Sequence, residues 1–337
     1  MVNTGSNKNS LTGVQFLSAK PIYSLQLTGK GDARQITAKS KATSTNSFWI
    51  HLDYLEPKNI DWIKSTSLIP DIAKAALTSR HQPANEIRFD TNDAMFIAIK
   101  GVNITPGDKP DPIVTLRFYI TANYVISTHH QKVNAITELK TELDKKIGPV
   151  DVADWLVQIS DILANYAHAA VEQVHSQVIL LEDSVLSQQE IAAHRKIGLI
   201  RQELILLRRN LTPQRDILMK ISTERLSWID DNDRRHIHDT ATCLNNYIND
   251  IDTCLLRLSS IVEQINALLT ESINKRIYIM SVFATIFMPL TFFASLFGMN
   301  LKGIPFDNHS WSFTLFTGLF FIIGIFLCIW FKKKQWI

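Results

Sequence analysis

The sequence predicts an α+β membrane protein built from an N-terminal cytoplasmic α/β domain, a long helical stalk and two C-terminal transmembrane helices. Three observations predict it. Residues 277–297 and 311–331 are two apolar runs without a charged side chain. No proline or glycine interrupts residues 214–287, so one helix of about 75 residues, over ~100 Å, can run from the cytoplasm into the bilayer. The first 150 residues alternate short apolar runs with turn-forming residues, the pattern of strands and short helices.

At 337 residues, with 46% hydrophobic and 20% charged positions, the chain has enough apolar content to build a core and too much to stay disordered. Cys243, Cys254 and Cys328 are too few and too late for a disulfide framework, and nothing near Met1 reads as a secretory signal. A reducing cytosol is therefore expected for most of the chain. Net charge runs +5, −3, −2 and +3 over residues 1–150, 151–212, 213–276 and 277–337. No segment clusters Lys and Arg densely enough for a nucleic-acid surface, which excludes that partner.

In chain order, residues 1–14 are polar and expected to be disordered, and residues 15–149 form the α/β domain. Runs at 47–55, 95–102 and 113–127 read as strands, the last folding back at Ala122 and Asn123; 59–64 and 71–79 read as short helices. Residues 150–276 are the helical region and stalk. Residues 137–146 begin it, Gly148 and Pro149 punctuate it, and 150–210 carries Leu and Ile at three-to-four spacing. Pro213 is expected to open the stalk as an early helical residue.

Each apolar run, at ~1.5 Å per residue, spans the roughly 30 Å hydrocarbon layer as a helix. Lys275 and Arg276 precede the first span, Lys332, Lys333 and Lys334 begin the tail at 332–337, and the loop at 298–310 is nearly neutral. The positive-inside rule places both termini in the cytoplasm and the loop outside the inner membrane. Trp311, Trp330 and Trp336 are placed as interfacial anchors.

Two such helices alone are an anchor; the polar residues of the first span argue for more. Placing Met288 at zero and advancing about 100° per residue, Ser281, Ala284, Met288, Thr291 and Ser295 fall within an arc of roughly 80°. Ile279, Phe283, Ile286, Leu290, Phe293 and Phe297 occupy the opposite side. Small residues also let membrane helices pack closely, and a pore needs several copies around an axis. Continued into the stalk, the arc passes through Ile277, Asn274, Thr270, Asn266, Glu263, Ser259 and Asp252, a mainly polar vestibule whose carboxylates and amides favour cations. A solvated helix face explains the same residues.

Gly298, Met299 and Asn300 stand at the outer end of the first span. Following an uncharged 21-residue span, with a second span and a basic tail behind them, they closely resemble the signature of the CorA family of divalent-metal transporters. Residues 298–306 (GMNLKGIPF), 50–54 (IHLDY), 99–108 (IKGVNITPGD), 114–120 (VTLRFYI) and the terminal KKKQWI resemble its zinc-transporting ZntB branch. The resemblance covers residues 48–337. It implies a homopentamer with a funnel-shaped cytoplasmic region, a stalk continuous with the first span, and a central pore in which Asn300 forms the outer filter ring shaped by Gly298 and Met299. It also puts Thr291, Met288 and Met280 at pore-lining places.

Two positions depart from that pattern: Lys302 puts a cation near the mouth, and residues 127–132 (STHHQK) stand where the branch tends to be arginine-rich. In the loop, Asp307 and His309 are the available ligands, and imidazole suits zinc better than magnesium. Elsewhere, His168, Glu172 and His175 share one helix face at metal-ligating spacing, as do His236, Asp239 and Cys243, on a side away from the stripe. Surface polarity and packing account for both sets equally. His129 and His130, adjacent in a strand, point to opposite faces.

No HExxH, phosphate-cradling glycine loop or GxSxG elbow occurs, so no enzyme and no prosthetic group is expected. The expected partners are further copies of the chain, the lipid bilayer and the transported cation: zinc first, with magnesium, cobalt, nickel and cadmium as candidates. A magnesium or cobalt channel is the alternative within transport, and a membrane-anchored helical scaffold or sensor the alternative outside it.

Overall fold

The computed structural model describes residues 12–16, 18–43, 46–78, 85–90, 93–102, 113–129, 133–186, 193–299 and 311–333. They divide into two compact units, Met1–Ile261 and Val262–Ile337.

The first unit is built on a seven-stranded sheet: β1 (Tyr23–Leu27), β2 (Ala33–Gln35), β3 (Phe48–Asp53), β4 (Glu86–Asp90), β5 (Ala94–Val102), β6 (Ile113–Ile120) and β7 (Tyr124–His129). Its spatial order is β2-β1-β3-β7-β6-β5-β4. All pairs are antiparallel except β3 and β7, which run parallel with Phe48 opposite Tyr124 and Asp53 opposite His129. The central strands are buried on both faces, so they read as continuous apolar runs, whereas β2 and β4 lie at the edges and carry polar residues. That polarity is why the sequence reading finds β3, β5, β6 and β7 and misses β1, β2 and β4.

On one face, α1 (Pro57–Ser65) and α2 (Asp71–Thr78) place Trp62, Ile63, Ala73 and Leu77 against Phe48, Ile50, Leu52 and Ile126. Phe16 joins this cluster from a 3-10 turn at Gly13–Phe16, and Thr12 bridges to Lys41. Residues 12–14 are thus ordered where the sequence suggests disorder; the apolar Phe16 draws them onto the sheet. Residues 1–11 lie outside the described residues.

The other face carries Trp49, His51, Phe118 and Ser127. Trp155, at the start of α4 (Val152–Leu186), packs edge-on against Trp49 and Phe118, with ring centroids 5.5 and 5.4 Å away. A Cβ on Gly101 would sit 2.8 Å from Leu163 Cδ2, so glycine in β5 lets α4 approach the strand. α3 (Asn134–Asp144) precedes this layer.

α5 (Ala193–Thr223) buries Ile197, Ile200, Leu204, Leu207, Leu211, Gln214, Leu218 and Ile221, an unbroken three–four alternation. α6 (Asp231–Phe297) buries Ile237, Leu244, Ile251 and Leu258 at seven-residue intervals, the spacing of coiled-coil packing. Arg201 donates to Ser259 Oγ at 3.1 Å, Arg208 pairs with Asp252 at 2.8 Å and Arg215 donates to Asn245 Oδ1 at 2.9 Å, fixing an antiparallel register.

The expected single helix from Pro213 onward is two helices. Pro213 sits inside α5, and the chain breaks between Thr223 and Asp231. Neither proline nor glycine makes this break. Asp230 caps α6 by accepting the N–H groups of Asn232 and Asp233, both at 2.8 Å, while Leu226 and Ile229 turn inward.

Within the second unit, α6 continues unbroken through Pro289 to Phe297, and α7 runs Ser312–Lys333.

Candidate functional site

The predicted stripe lies on the part of α6 that belongs to the second unit. From Asn266 to Ile277 every residue is exposed, Leu269 and Ile273 by 41% and 54%. α6 also holds an 18-residue window apolar enough to cross a membrane, none of it buried. Apolar side chains this open on one helix mark a surface made to be covered.

Burial marks only part of one face of this segment: Ile279, Phe283 and Phe293, which the sequence reading sets opposite the stripe, are exposed as the stripe is. Tyr278, Val282, Ile286, Pro289 and Leu290 are half-buried and share one side at helical spacing; on α7, among the described residues, Thr317, Phe320, Ile323 and Gly324 are half-buried. Ser281, Ala284, Met288, Thr291 and Ser295 are all exposed, and they lie about 150° around α6 from its half-buried side. Met280, about 60° from the stripe's centre, is 73% exposed.

The hydroxyls are directed by the helix itself. Ser281 Oγ donates to Ile277 O at 2.9 Å, Thr285 Oγ1 to Ser281 O at 2.8 Å, and Thr270 Oγ1 to Asn266 O at 2.8 Å. With its proton used on the backbone, each oxygen keeps its lone pairs for an external donor or cation. Pro289 has no N–H, so the carbonyl of Thr285 loses its helical partner within the same segment.

At the C-terminal end of α6, Gly298 N–H closes on Ala294 O at 2.9 Å, and a Cβ there would stand 3.1 Å from that oxygen. Met299 is exposed. Asn300, Asp307 and His309 lie outside the described residues, as do Lys302 and residues 130–132 of the STHHQK segment.

N-terminal to the stripe on α6, Glu263, Asn266, Thr270 and Asn274 are exposed, while Asp252 belongs to the first unit, where Arg208 holds its carboxylate. The metal-spaced residues have distinct surroundings. His168 stacks on Tyr247 at 5.0 Å, and Glu172 and His175 follow it on α4. His236, Asp239 and Cys243 line a cavity of about 490 Å³ between α4 and α6. Among the described residues no three His, Cys, Asp or Glu side chains converge to hold a metal ion.

Two features escape the sequence reading. Asp161 on α4 pairs with His236 across that cavity at 2.8 Å, a contact between residues 75 positions apart that no local spacing announces. Val262, Leu269, Ile273, Met280 and Phe287 form a bulky apolar flank beside the stripe; their spacing of seven, four, seven and seven residues is the signal that finds it.

A family profile described as "CorA-like Mg2+ transporter protein" matches residues 45–333. The chain belongs to the CorA family. Relatives within it include the zinc transport protein ZntB of Yersinia enterocolitica, 34% identical over 316 residues that cover 94% of this chain and 96% of the relative. The zinc transport protein ZntB of Photorhabdus laumondii is 33% identical over 328 residues, covering 97% and 99%. Among solved structures, the CorA magnesium transporter of Methanocaldococcus jannaschii superposes with a TM-score of 0.79 at 20% identity, covering 94% of this chain and all of that one. The full-length CmaX protein gives 0.79 at 23% identity, covering 94% and 98%. The CorA-family fold therefore extends over the α/β domain and the long helix.

Proposed function

We propose that the chain carries divalent metal cations, zinc first, across the inner membrane through a pore that five copies build around α6. The observation that carries this reading is the exposed stripe of Ser281, Ala284, Met288, Thr291 and Ser295, turned away from the half-buried side of its own helix. The zinc transport proteins to which the chain is 33–34% identical over nearly its whole length make zinc the first cargo to test.

An exposed apolar flank supports a ring. Val262, Leu269, Ile273, Met280 and Phe287 lie roughly 65° to one side of the stripe, a surface that a neighbouring copy packed head to tail around an axis would cover. In such a ring the stripe faces the axis, Glu263, Asn266, Thr270 and Asn274 line the cytoplasmic approach, and Asn300 with Gly298 and Met299 forms the outer filter. Amide oxygens there contact a hydrated cation without holding it irreversibly.

The two spans contain no Asp, Glu or His, so a proton-coupled mode would use Asp307, His309 or cytoplasmic groups. No step of the reading is catalytic and no prosthetic group enters it.

The deciding experiment is zinc flux into liposomes containing the purified protein, with and without a pH gradient. Zinc entry above empty vesicles is expected; no uptake of zinc, nickel, cobalt or magnesium overturns the reading. The family profile's own description favours magnesium as a second cargo, and competition between the two ions separates the cases. A scaffold or sensor without transport predicts a monomer or dimer in native mass measurement, and no flux.

A further inference from the structure

We propose that the cationic end of the second unit binds an anionic phospholipid, held through its headgroup phosphate by Lys275 and Arg276 on α6 and Lys333 on α7. The inference rests on α6 and α7 crossing a bilayer, as the transport reading also requires, and not on any passage of ions.

The stretch from Arg276 to the end of α6 and the whole of α7 are each 22 residues, ~33 Å of helix. Helices of that length crossing a hydrocarbon layer of roughly 30 Å from their connected ends set Arg276 and Lys333 at the headgroup level of one leaflet. Charge is unbalanced at that level. The sequence gathers Lys275, Arg276, Lys332, Lys333 and Lys334 there, and its nearest carboxylate is Glu271, one turn before Lys275. Lys275, Arg276 and Lys333 are exposed, and among the described residues none of the three has a carboxylate partner. An anionic headgroup supplies the missing charge, and the guanidinium of Arg276 offers the fork that suits a phosphate.

Cations that only set the orientation of a hairpin need nothing beneath them, whereas these stand over apolar columns. Advancing about 100° per residue, Ile329, Phe326 and Ile322 lie within roughly 40° of Lys333, one, two and three turns along α7, and all three are exposed. On α6, Phe283 lies within roughly 20° of Arg276 and is exposed as well. Acyl chains cover such columns while the headgroup meets the cation above; a free phosphate would leave them bare. Lys275 continues the half-buried side of Val282 and Ile286, within roughly 20° of both. Tyr278, one turn from Lys275 near that side, has its hydroxyl buried without a hydrogen-bond partner. It is a donor kept from water that a phosphate oxygen beside Lys275 can accept from.

The test is native mass spectrometry of the full-length protein in detergent, titrated with dioleoyl phosphatidylglycerol or dioleoyl phosphatidylcholine, which share acyl chains and differ in headgroup charge. Phosphatidylglycerol should be retained roughly tenfold better. Combining Lys275→Gln, Arg276→Gln and Lys333→Gln should lower its retention to that of phosphatidylcholine, while Lys58→Gln on α1 changes neither. Equal retention of the two lipids by the wild type, or a triple variant that still prefers phosphatidylglycerol, overturns the proposal. Displacement of the bound lipid by millimolar inorganic phosphate overturns it too, because it assigns a free-anion site. Should the triple variant fail to assemble, which the same spectra reveal, Tyr278→Phe decides: a loss of about threefold for phosphatidylglycerol alone is expected, and unchanged retention overturns the site. No ion gradient is used, so a failure here and a failure of zinc flux are separate results.

Discussion

Asp93 and Ser227, 134 residues apart in the chain, are joined through backbone and side chain at once: the Ser227 N–H donates to the Asp93 carboxylate at 3.1 Å and the Ser227 hydroxyl donates to the same group. Trp228 Nε1 adds a bond of 2.9 Å to the Asp93 carbonyl. Asp93 holds φ of 57° in the turn between β4 and β5, a conformation that short polar side chains tolerate better than others. The sheet is thereby fastened to the connection from which α6 starts. Asp93→Ala removes the carboxylate and places alanine in the left-handed region. It should cost about 2 kcal/mol, and Ser227→Ala, which keeps the backbone bond, about half as much. Thermal unfolding in detergent measures both, with hydrogen exchange expected to rise first at residues 224–230.

That latch also shows where the sequence is legible and where it is not. Strands β3, β5, β6 and β7 were readable because both of their faces are buried, which leaves continuous apolar runs. The break before α6 was readable only in part: the run Asp230, Asp231 and Asp233 suits a cap or a solvated bend, but that the long helix stops there is tertiary, because Asp93 is a turn residue until Ser227 reaches it. The stripe was readable because helical periodicity alone places Ser281 and Ser295 on one side. Its setting opposite Tyr278, Val282 and Ile286 needed coordinates, since burial depends on what packs against the helix.

His51 gives a pH dependence. It is fully buried, bonded through Nδ1 to Ser127 Oγ at 2.6 Å and stacked on His129 at 4.4 Å. Burial holds its pKa well below the usual histidine value, repulsion from His129 adds to this, and Ser127 offsets part of it. The unfolded chain takes up a proton below pH ~6.5 that the folded chain refuses, so stability is intact above that value and fades as the pH drops through it, by up to ~1.4 kcal/mol per unit. Denaturant midpoints between pH 7.5 and 5.5 should fall more steeply for the wild type than for His51→Gln. Parallel slopes would refute the assignment.

Asp233 carries the opposite sign. Burial, then the carboxylates of Asp230, Asp151 and Asp154, push it up to about 6, with His236 pulling the other way. Above that pH its charge is borne in a crowded acidic corner, and the cost is relieved as the pH falls toward 5. Asp233→Asn should therefore stabilise the protein at pH 7.5 by about 1 kcal/mol, a figure reduced for the partial exposure of the group. The gain should shrink at pH 5; a variant equally stabilised at both values would mean that something other than its charge is responsible.

The orientation of the stripe yields the prediction with most at stake. Thr291 and Ser295 lie about 150° around α6 from the half-buried side, whereas Phe293 lies near that side and Leu290 within it. If water reaches the stripe in the assembled protein, cysteines introduced singly at Thr291 and Ser295, in a chain whose three native cysteines are serine, should react with a membrane-impermeant thiol reagent. Zinc should slow that reaction by competing for the same path. Cysteines at Leu290 and Phe293 should react at least ten times more slowly, because lipid or protein surrounds them and the thiolate that attacks needs water. Modification at Thr291→Cys should also block flux, since a bulky adduct fills a passage lined by hydroxyls. Equal rates at all four positions would mean that the hydroxyl face meets lipid, and the polar side chains would then serve only to let helices pack closely.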